Sequence, residues 1–299
     1  MSLKGYIKEN LPWIRSIYRK RLAPINLIHN IYDKPVVVLL YHRVNHLNRD
    51  LFNINVTPDN FERHIRILKN HYNVITFNDL KRNDIKEPSV IITFDDGYYD
   101  NYKYAFPILK KYQVPATIFI TSGGVDTGKE FWWDRLETVL FENKNLRESI
   151  ELDILNQRHI FDVSDDKKRL HSFYTLHHML FSLHPNERNM MLDRWYESYG
   201  LKVNPNNRTM TSSELIELYQ SQLVTLGAHT IHHPALKQIS REEQIQEIQS
   251  SKLFLENLLH TDIDIFAYTF GHKESFDQVT EQIVRDLGFT YSVSTKRAQ

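Results

Sequence analysis

The 299-residue sequence contains no cysteine, which excludes disulfide bonds, thiolate metal sites and cysteine nucleophiles. Its 37 basic residues (Lys and Arg) equal its 37 acidic residues, and this zero net charge gives no indication of a nucleic-acid partner. There is no apolar run of the kind found in membrane spans or secretory signals. These absences predict a cytoplasmic protein.

Short apolar runs alternate with helical patterns along most of the chain. This alternation predicts an α/β fold with a parallel sheet and right-handed crossovers, built as one large domain or two smaller ones. Helix starts are predicted at Thr57, Thr211 and Ser240, where capping residues precede apolar positions at helical spacing. The predicted strands are 36–44, 74–77, 90–94, 115–121 and 291–294, and 263–271 is predicted as a strand and turn.

Two segments depart from this alternation. Residues 1–31 have the pattern of a basic helical segment, which either packs on the domain surface or lies on an anionic membrane or a partner. Residues 124–210 have no apolar run typical of a core strand and predict a helical insertion. The histidines of this insertion lack a clear partner set and are expected at the surface or in the core. The remaining chain, 32–299, forms the predicted barrel-like domain.

The apolar run at 90–94 leads directly into Asp95, Asp96 and Gly97. Functional sites of open α/β sheets and barrels lie at the carboxyl ends of their strands. Two adjacent carboxylates repel each other, so the pair indicates a bound cation or an unequal sharing of protons. The alternative is a helix cap, because Asp and Gly are common at strand-to-helix turns. Asp100 is expected to support the start of the next helix.

Histidines follow two other apolar runs. His229 and His233 are four residues apart, so their imidazoles can face the same point on a helical turn or a tight loop. With a carboxylate they form a reasonable zinc set that leaves one position open for water. The same spacing also arises by chance in a chain with 15 histidines. His42 and Arg43 end the first predicted strand, and the three polar clusters together predict one shared site.

The motifs at these strand ends resemble those of the polysaccharide deacetylase family, carbohydrate esterase family 4. The family's T-F-D-D-G motif stands at 93–97 and its H-[ST]-x-x-H motif at 229–233. The segments 115–120 and 266–271 are similar to its supporting strands. The resemblance extends over about 36–294, apart from the insertion. It implies a distorted (β/α) barrel and metal-dependent removal of acetyl groups from sugars.

Carried over by position, the resemblance implies roles for five residues. Asp95 would be the general base, and Asp96, His229 and His233 would hold the metal. His42 would be the catalytic acid, because a permuted subset of the family, similar to biofilm-polysaccharide N-deacetylases, supplies this histidine from a Tyr-His motif on the first strand. The implied cofactor is a divalent metal ion, Zn²⁺ in the first place, with Co²⁺ or Ni²⁺ as alternatives.

The third family motif is altered in this sequence. Ala267 and Thr269 occupy the places of an Arg and a Pro, so the basic group that usually orients the general base is missing there. Arg43 is the candidate replacement. The altered motif leaves open the alternative of a degenerate family member that binds carbohydrate without turnover.

The predicted function is removal of acetyl groups, N-acetyl in the first place, from a saccharide or a surface-polysaccharide precursor. Predicted substrate contacts are Arg43, Tyr98, Trp132 and Trp133, and the Trp pair also fits a packing anchor. A carbohydrate-binding module without activity and a barrel metallohydrolase acting on C–N bonds outside sugars stay open as alternatives. The sequence indicates no oligomeric state.

Overall fold

The computed structural model describes residues 36–81, 85, 87–144, 146–154 and 157–295. The basic segment predicted at residues 1–31 lies outside this part of the chain, and so does its predicted membrane contact. Within the described residues, no helix combines the length and the apolar content that crossing a membrane requires.

The strands alternate with helices along the chain, as the sequence predicts. The strands are β1 Val36–Tyr41, β2 Arg43–Val44, β3 Asn55–Val56, β4 Asn73–Val74, β5 Ser89–Phe94, β6 Ala116–Ile120, β7 Ser149–Ile154, β8 Gln157–Asp162, β9 Val224–Ala228, β10 Ile265–Ala267 and β11 Tyr291–Val293. The helices are α1 Pro58–His71, α2 Phe77–Lys81, α3 Phe106–Tyr112, α4 Trp132–Glu137, α5 Asp166–Phe181, α6 Pro185–Tyr199, α7 Ser212–Gln220, α8 Arg241–Leu259 and α9 Gln278–Asp286.

Seven of these strands form a parallel sheet in the order β1-β5-β6-β9-β10-β11, with β4 also paired to β5. The sheet curls into a half-barrel with helices around it, which confirms the predicted α/β, barrel-like architecture. Every residue of β5 is buried, because a central parallel strand is covered on both faces. This burial explains the unbroken apolar run that precedes Asp95.

The predicted helix starts are confirmed by their hydrogen bonds. The Thr57 side chain accepts from the backbone N–H of Asn60, and Pro58 occupies the first turn of α1. Reciprocal capping boxes begin α7 at Thr211 and α8 at Ser240. These caps satisfy backbone donors that a helix start otherwise leaves unpaired.

Strand β1 differs from its prediction as a buried strand. Val37, Val38 and Leu40 are 48%, 42% and 39% exposed. The reason is that β1 pairs with β5 on one side and is an edge strand of the described sheet. The predicted strand at 74–77 is also shorter, because Thr76 hydrogen-bonds to the Asp79 carboxylate and starts the turn into α2.

Within the described residues, the segment 124–210 contains the helices α4, α5 and α6 and adds no strand to the central sheet. It also contains an antiparallel hairpin, β7–β8, that the sequence analysis did not predict. Ile150, Leu152 and Ile154 alternate with exposed residues along β7 and are buried. This alternation is the period-two signal of a strand with one buried face. The hairpin and α4, α5 and α6 enclose a second hydrophobic core beside that of the sheet.

Candidate active site

The turn after β5 carries the two adjacent carboxylates. Asp96 and Gly97 have φ angles of 75° and 82°, a region that favours glycine. A side chain at Gly97 would also meet Cδ1 of Ile120 at 3.1 Å, a tight contact that the Ile120 side chain would have to relieve by shifting. The backbone N–H of Asp95 donates to the carbonyl of Tyr41 at 3.0 Å, which fixes the start of the turn against β1.

The loop 229–233, which follows β9, carries the two histidines. Thr230 and His233 have φ angles of 64° and 53°, which are uncommon for residues with a side chain. The backbone N–H of His233 donates to Oγ1 of Thr230 at 3.1 Å. Oγ1 of Thr269 donates to the carbonyl of Pro234 at 2.6 Å, so the residue at the family's Pro place fastens the end of this loop.

The structure brings Asp96, His229 and His233 together. One ligand atom from each lies within 4.8 Å of the others. Oδ1 of Asp96 is 3.5 Å from Nε2 of His229 and 3.2 Å from Nε2 of His233, and all three side chains are buried. One carboxylate and two imidazoles are the ligand types of catalytic zinc sites.

The protonation of two of these groups suits a cation, whereas the pKa of the third, His229, is raised, because its contacts with Asp96 and Asp95 outweigh the opposing effect of burial. Nδ1 of His229 lies 2.8 Å from the carbonyl oxygen of Ala267, which can only accept, so Nε2 is left free as a ligand. Burial lowers the pKa of His233 to about 4, so its imidazole is neutral at pH 7. Burial also opposes ionisation of Asp96, but its contacts with the two histidines hold the pKa of its carboxyl well below the usual range. The residues present therefore fit a divalent metal ion.

Asp95 stands beside this group in a different environment. It is 7% exposed, and its Oδ1 has no hydrogen-bond partner within the described part of the chain. Burial raises the pKa of the Asp95 carboxyl, and the nearby His229 and His42 partly offset that rise. A carboxylate whose proton affinity is raised accepts a proton more readily near neutral pH.

A cavity of about 420 Å³ joins these groups to His42 and Trp133. Its volume lies within the range of about 300 to 1,000 Å³ that is typical of small-molecule sites. The carbonyl of His42 accepts from Nδ2 of Asn101 at 2.8 Å, which anchors the break between β1 and β2. His42, Asp95 and the three candidate ligands thus line one cavity at the carboxyl ends of β1, β5 and β9.

Three of the four predicted substrate contacts, Arg43, Tyr98 and Trp132, do not line this cavity. Tyr98 is fully buried, and its hydroxyl donates to Asp134 at 2.7 Å and accepts from Nε1 of Trp133 at 2.6 Å. Trp132 is 3% exposed and lines a separate, smaller cavity. Both side chains therefore pack the insertion against the sheet. Of the Trp pair, Trp133 alone is placed where it can contact a ligand of the larger cavity.

Arg43 does not replace the missing family Arg. Its Nε donates to Asp100 at 2.8 Å, its Nη1 lies 3.5 Å from Asp134, and its Nη2 donates to Asn207 at 2.9 Å. These partners occupy the guanidinium, so the prediction that Arg43 contacts the substrate or orients Asp95 is wrong.

Asp100 also differs from its prediction. Its carboxylate makes no capping hydrogen bond to the helical turn Asn101–Ala105 that follows it. Instead it accepts from Arg43 and from the backbone N–H of Val44.

Further cavity residues come from segments that the sequence analysis had not assigned to the site. His177 of α5 stacks on Trp132 with ring centroids 4.7 Å apart. The ring centroids of Phe270 and His233 are 4.5 Å apart. Phe270 lies in the segment 266–271, and the similarity of this segment to a supporting strand of the family could have indicated that Phe270 lies near the site. The full added set is Phe52, Ile54, His177, Phe270, His272 and Thr295.

Comparison with known proteins places the chain in a family. The model of that family, described as polysaccharide deacetylase, matches residues 82–145 and 187–292, which is more than half of the chain. The unmatched stretch between them lies inside the insertion.

Two curated proteins are similar to part of the chain. YxkH of Bacillus subtilis, described by name as a polysaccharide deacetylase, is 42% identical over 96 residues, which are 29% of this chain and 33% of YxkH. The poly-beta-1,6-N-acetyl-D-glucosamine N-deacetylase of Staphylococcus aureus is 36% identical over 110 residues, which are 31% of this chain and 38% of that enzyme. The chain thus matches little more than a third of the length of these relatives.

Solved structures are similar over most of the chain. The deacetylase PplD of Streptococcus pyogenes, solved with acetate, aligns with a TM-score of 0.53 at 20% identity, covering 87% of this chain and 83% of PplD. IcaB of Ammonifex degensii aligns with a TM-score of 0.55 at 19% identity, covering 87% and 83%. These likenesses confirm the fold, and the family match confirms the resemblance seen in the sequence: the chain belongs to the polysaccharide deacetylase family.

Proposed function

We propose that the chain is a metal-dependent hydrolase that removes N-acetyl groups from a saccharide. One observation carries the proposal: Asp96, His229 and His233 form a buried ligand set, and Asp95 and His42 line the same cavity. A metal site, a proton acceptor and a proton donor are the groups that hydrolysis of an acetamide requires.

The metal would be held by Asp96, His229 and His233. When bound, a divalent cation of this kind lowers the pKa of a coordinated water and polarises the carbonyl group of the substrate. Zn²⁺ is the first candidate, because two imidazoles and a carboxylate are its usual catalytic ligands, with Co²⁺ and Ni²⁺ as alternatives.

Proton transfer would fall to Asp95 and His42. Asp95 is buried, has a free carboxylate oxygen and a raised pKa, and accepts the proton of the attacking water. His42, in its protonated form, donates a proton to the nitrogen of the leaving amine as the C–N bond breaks. The products are acetate and a free amino sugar.

The substrate would lie against the aromatic wall of the cavity. Trp133, Phe52 and Phe270 present aromatic surface there, which packs well against sugar rings. The curated relative from Staphylococcus aureus acts, by its name, on poly-beta-1,6-N-acetyl-D-glucosamine. Oligomers of N-acetylglucosamine with this linkage are therefore the first substrates to test, as fragments of a surface polysaccharide or its precursor. The cytoplasmic location stays a prediction from the sequence.

Acetate release tests the proposal. Purified protein supplied with Zn²⁺ or Co²⁺ should release acetate from β-1,6-linked N-acetylglucosamine oligomers, and chelation should stop the release. Asp95→Asn should abolish release while Zn²⁺ still binds. Asp262→Asn, a change at an exposed aspartate that does not line the cavity, is the matched control and should behave as wild type.

Other outcomes distinguish the alternatives. Glycan binding without acetate release in the metal-loaded wild type would favour a carbohydrate-binding member of the family. The altered third motif, with Ala267 and Thr269, and the unpartnered Asp95 oxygen motivate this alternative. If amines were released only from compounds that are not sugars, this result would favour a barrel metallohydrolase of different specificity. Acetate release that persists in Asp95→Asn would overturn the assigned mechanism.

A further inference from the structure

A second, smaller cavity lies on the other side of the loop 229–233. Its volume is about 100 Å³, well below the range of about 300 to 1,000 Å³ for drug-sized ligands, so it has room only for a small molecule or ion. Arg188 of α6 lines it, and so do Lys129, His232 and the Gly123-Gly124 turn. Among the described residues, the two linings have none in common, so this cavity is separate from the one that contains Asp95 and Asp96.

Arg188 is an unusual residue to find in this place. Its side chain is 1% exposed, and it is the largest of the fully buried side chains. No carboxylate lies within ion-pair distance of its guanidinium among the residues that the structure describes. Within the described chain, its Nη2 donates to the carbonyl of His232 at a long 3.4 Å, and its Nε has no hydrogen-bond partner. A buried arginine is normally paired or fully hydrogen-bonded, since a buried charge without a partner is costly.

The surroundings supply only partial compensation. The guanidinium lies 4.6 Å from the centre of the Trp132 ring, a favourable cation–π contact that provides no hydrogen-bond acceptor. Burial lowers the pKa of Arg188 to about 9, and Glu247 is the acid that opposes this effect. The Glu247 carboxylate, however, is already hydrogen-bonded to the backbone N–H groups of Ile231 and His232 and to the ring of His232.

The other charges around the cavity leave its lining positive. Lys129 adds one cation, and Arg135 adds another that is paired with Asp193 at 2.6 Å. The acid in the lining is Glu130, whose carboxylate accepts from Tyr196. Burial raises the pKa of the Glu130 carboxyl, against the opposing effect of the hydrogen bonds that it accepts.

We propose that this cavity binds a small oxyanion, such as phosphate or a carboxylate of the size of acetate, with the Arg188 guanidinium as its main ligand. The free Nε supplies a donor, and the planar guanidinium suits two-point contact with oxyanions. Because Arg188 also contacts the carbonyl of His232, an anion here stabilises the loop that carries His229 and His233. The proposal concerns a separate site and stands whether or not the protein deacetylates sugars.

Isothermal titration with inorganic phosphate and, separately, with sodium acetate tests the site in chelator-treated protein, so that no metal competes for the anion. The wild type should bind at least one of the two. Arg188→Gln should weaken that binding at least tenfold. Arg188→Lys should bind with intermediate affinity, because lysine keeps the positive charge but lacks the planar N–H donors of the guanidinium. The matched control Arg194→Gln, at an exposed arginine of the same helix, should bind as wild type.

The phosphate titration, the acetate titration and a measurement of where the anion binds decide the outcome. Binding of acetate alone would identify the site as one for the carboxylate product, and binding of phosphate identifies a general oxyanion site. Asp96→Asn should leave the titration unchanged, since that residue belongs to the other cavity. Where Arg188→Gln does not fold, wild-type crystals soaked in selenate decide, with an anomalous peak at the Arg188 guanidinium expected. No binding of either anion, equal binding by Arg188→Gln, or no such peak overturns the proposal.

Discussion

The carboxylate of Glu247 holds the backbone of His232, the residue that stands between the two candidate histidine ligands and next to His233. Its Oε2 accepts from the N–H groups of Ile231 and His232, each at 2.9 Å, and its Oε1 lies 2.7 Å from Nδ1 of His232. Hydrogen bonds to an ionised acceptor are stronger than neutral ones. Helix α8 thereby fixes a loop whose φ angles at Thr230 and His233 are otherwise unfavourable.

Replacing Glu247 should therefore weaken metal binding. Glu247→Ala removes all three contacts, and we expect the affinity for Zn²⁺ to fall about 10- to 100-fold, the usual effect of losing groups that support metal ligands. Competition with a chromophoric chelator measures this affinity. Glu247→Gln keeps one acceptor oxygen and should lose less. The control Glu242→Gln alters an exposed acid on the same helix, and an equal loss there would contradict the role of Glu247.

His42 should affect turnover without affecting the metal. If His42 donates the proton to the leaving amine, His42→Gln should lower kcat by a factor of about 10² to 10⁴. Zn²⁺ affinity should stay unchanged, because His42 is outside the ligand set. His46→Gln changes an exposed histidine four residues further along and should be neutral. Loss of metal together with activity in His42→Gln would show that His42 acts on the metal site instead.

Arg43 should matter for stability. Its guanidinium is 3% exposed and lies 2.8 Å from Asp100 and 3.5 Å from Asp134, two buried carboxylates. Removing one partner of a buried ion pair typically costs about 3 to 5 kcal/mol, so Arg43→Met should lower the free energy of unfolding by that amount. Urea denaturation measures it.

Two companion variants make the Arg43 measurement specific. Arg43→Met with Asp100→Asn should recover part of the loss, since one orphaned charge is removed. Arg49→Met, at a partly exposed arginine 4.0 Å from Glu137, should cost less than about 1 kcal/mol. A loss in Arg43→Met no larger than in Arg49→Met would contradict the importance of the buried pairs.

The grouping of Asp96, His229 and His233 could be predicted from the sequence for a physical reason. Parallel strands end at one edge of a sheet, so polar residues that directly follow apolar runs converge whatever the distance between them along the chain. The same argument brought His42 to the site. The family resemblance then implied different roles for Asp95 and Asp96, and the structure gives the two carboxyl groups different surroundings.

The partners of Arg43 and the contribution of His177 could not be predicted in this way. Arg43 also follows a strand, but its guanidinium turns to Asp100 and Asp134, and nothing local in the sequence indicates that choice. His177 lies in the insertion, whose placement over the site depends on packing between α4, α5 and α6. Sequence periodicity describes which face of one element is buried and does not specify which distant element covers it.

His177 should influence substrate binding. It lines the cavity of the candidate metal group, and burial lowers its pKa to about 4, so its ring is neutral at pH 7 and can donate or accept a hydrogen bond. His177→Ala should raise KM for the saccharide by about tenfold, equivalent to roughly 1.4 kcal/mol, with little change in Zn²⁺ affinity. His178→Ala, at an exposed neighbour on the same helix, is the control. An unchanged KM in His177→Ala would exclude a substrate contact.

Metal removal should lower the stability of the folded protein. A ligand that binds only the native state stabilises it by about 2.7 kcal/mol when its concentration is 100 times Kd, so Zn²⁺ should raise the melting temperature of chelator-treated protein. Asp96→Asn removes the carboxylate that contacts both histidines and should abolish most of this rise. Asp95→Asn, which leaves the three candidate ligands intact, should retain it, because Asp95 is assigned to proton transfer. A rise that survives in Asp96→Asn but disappears in Asp95→Asn would reverse the roles of the two carboxylates.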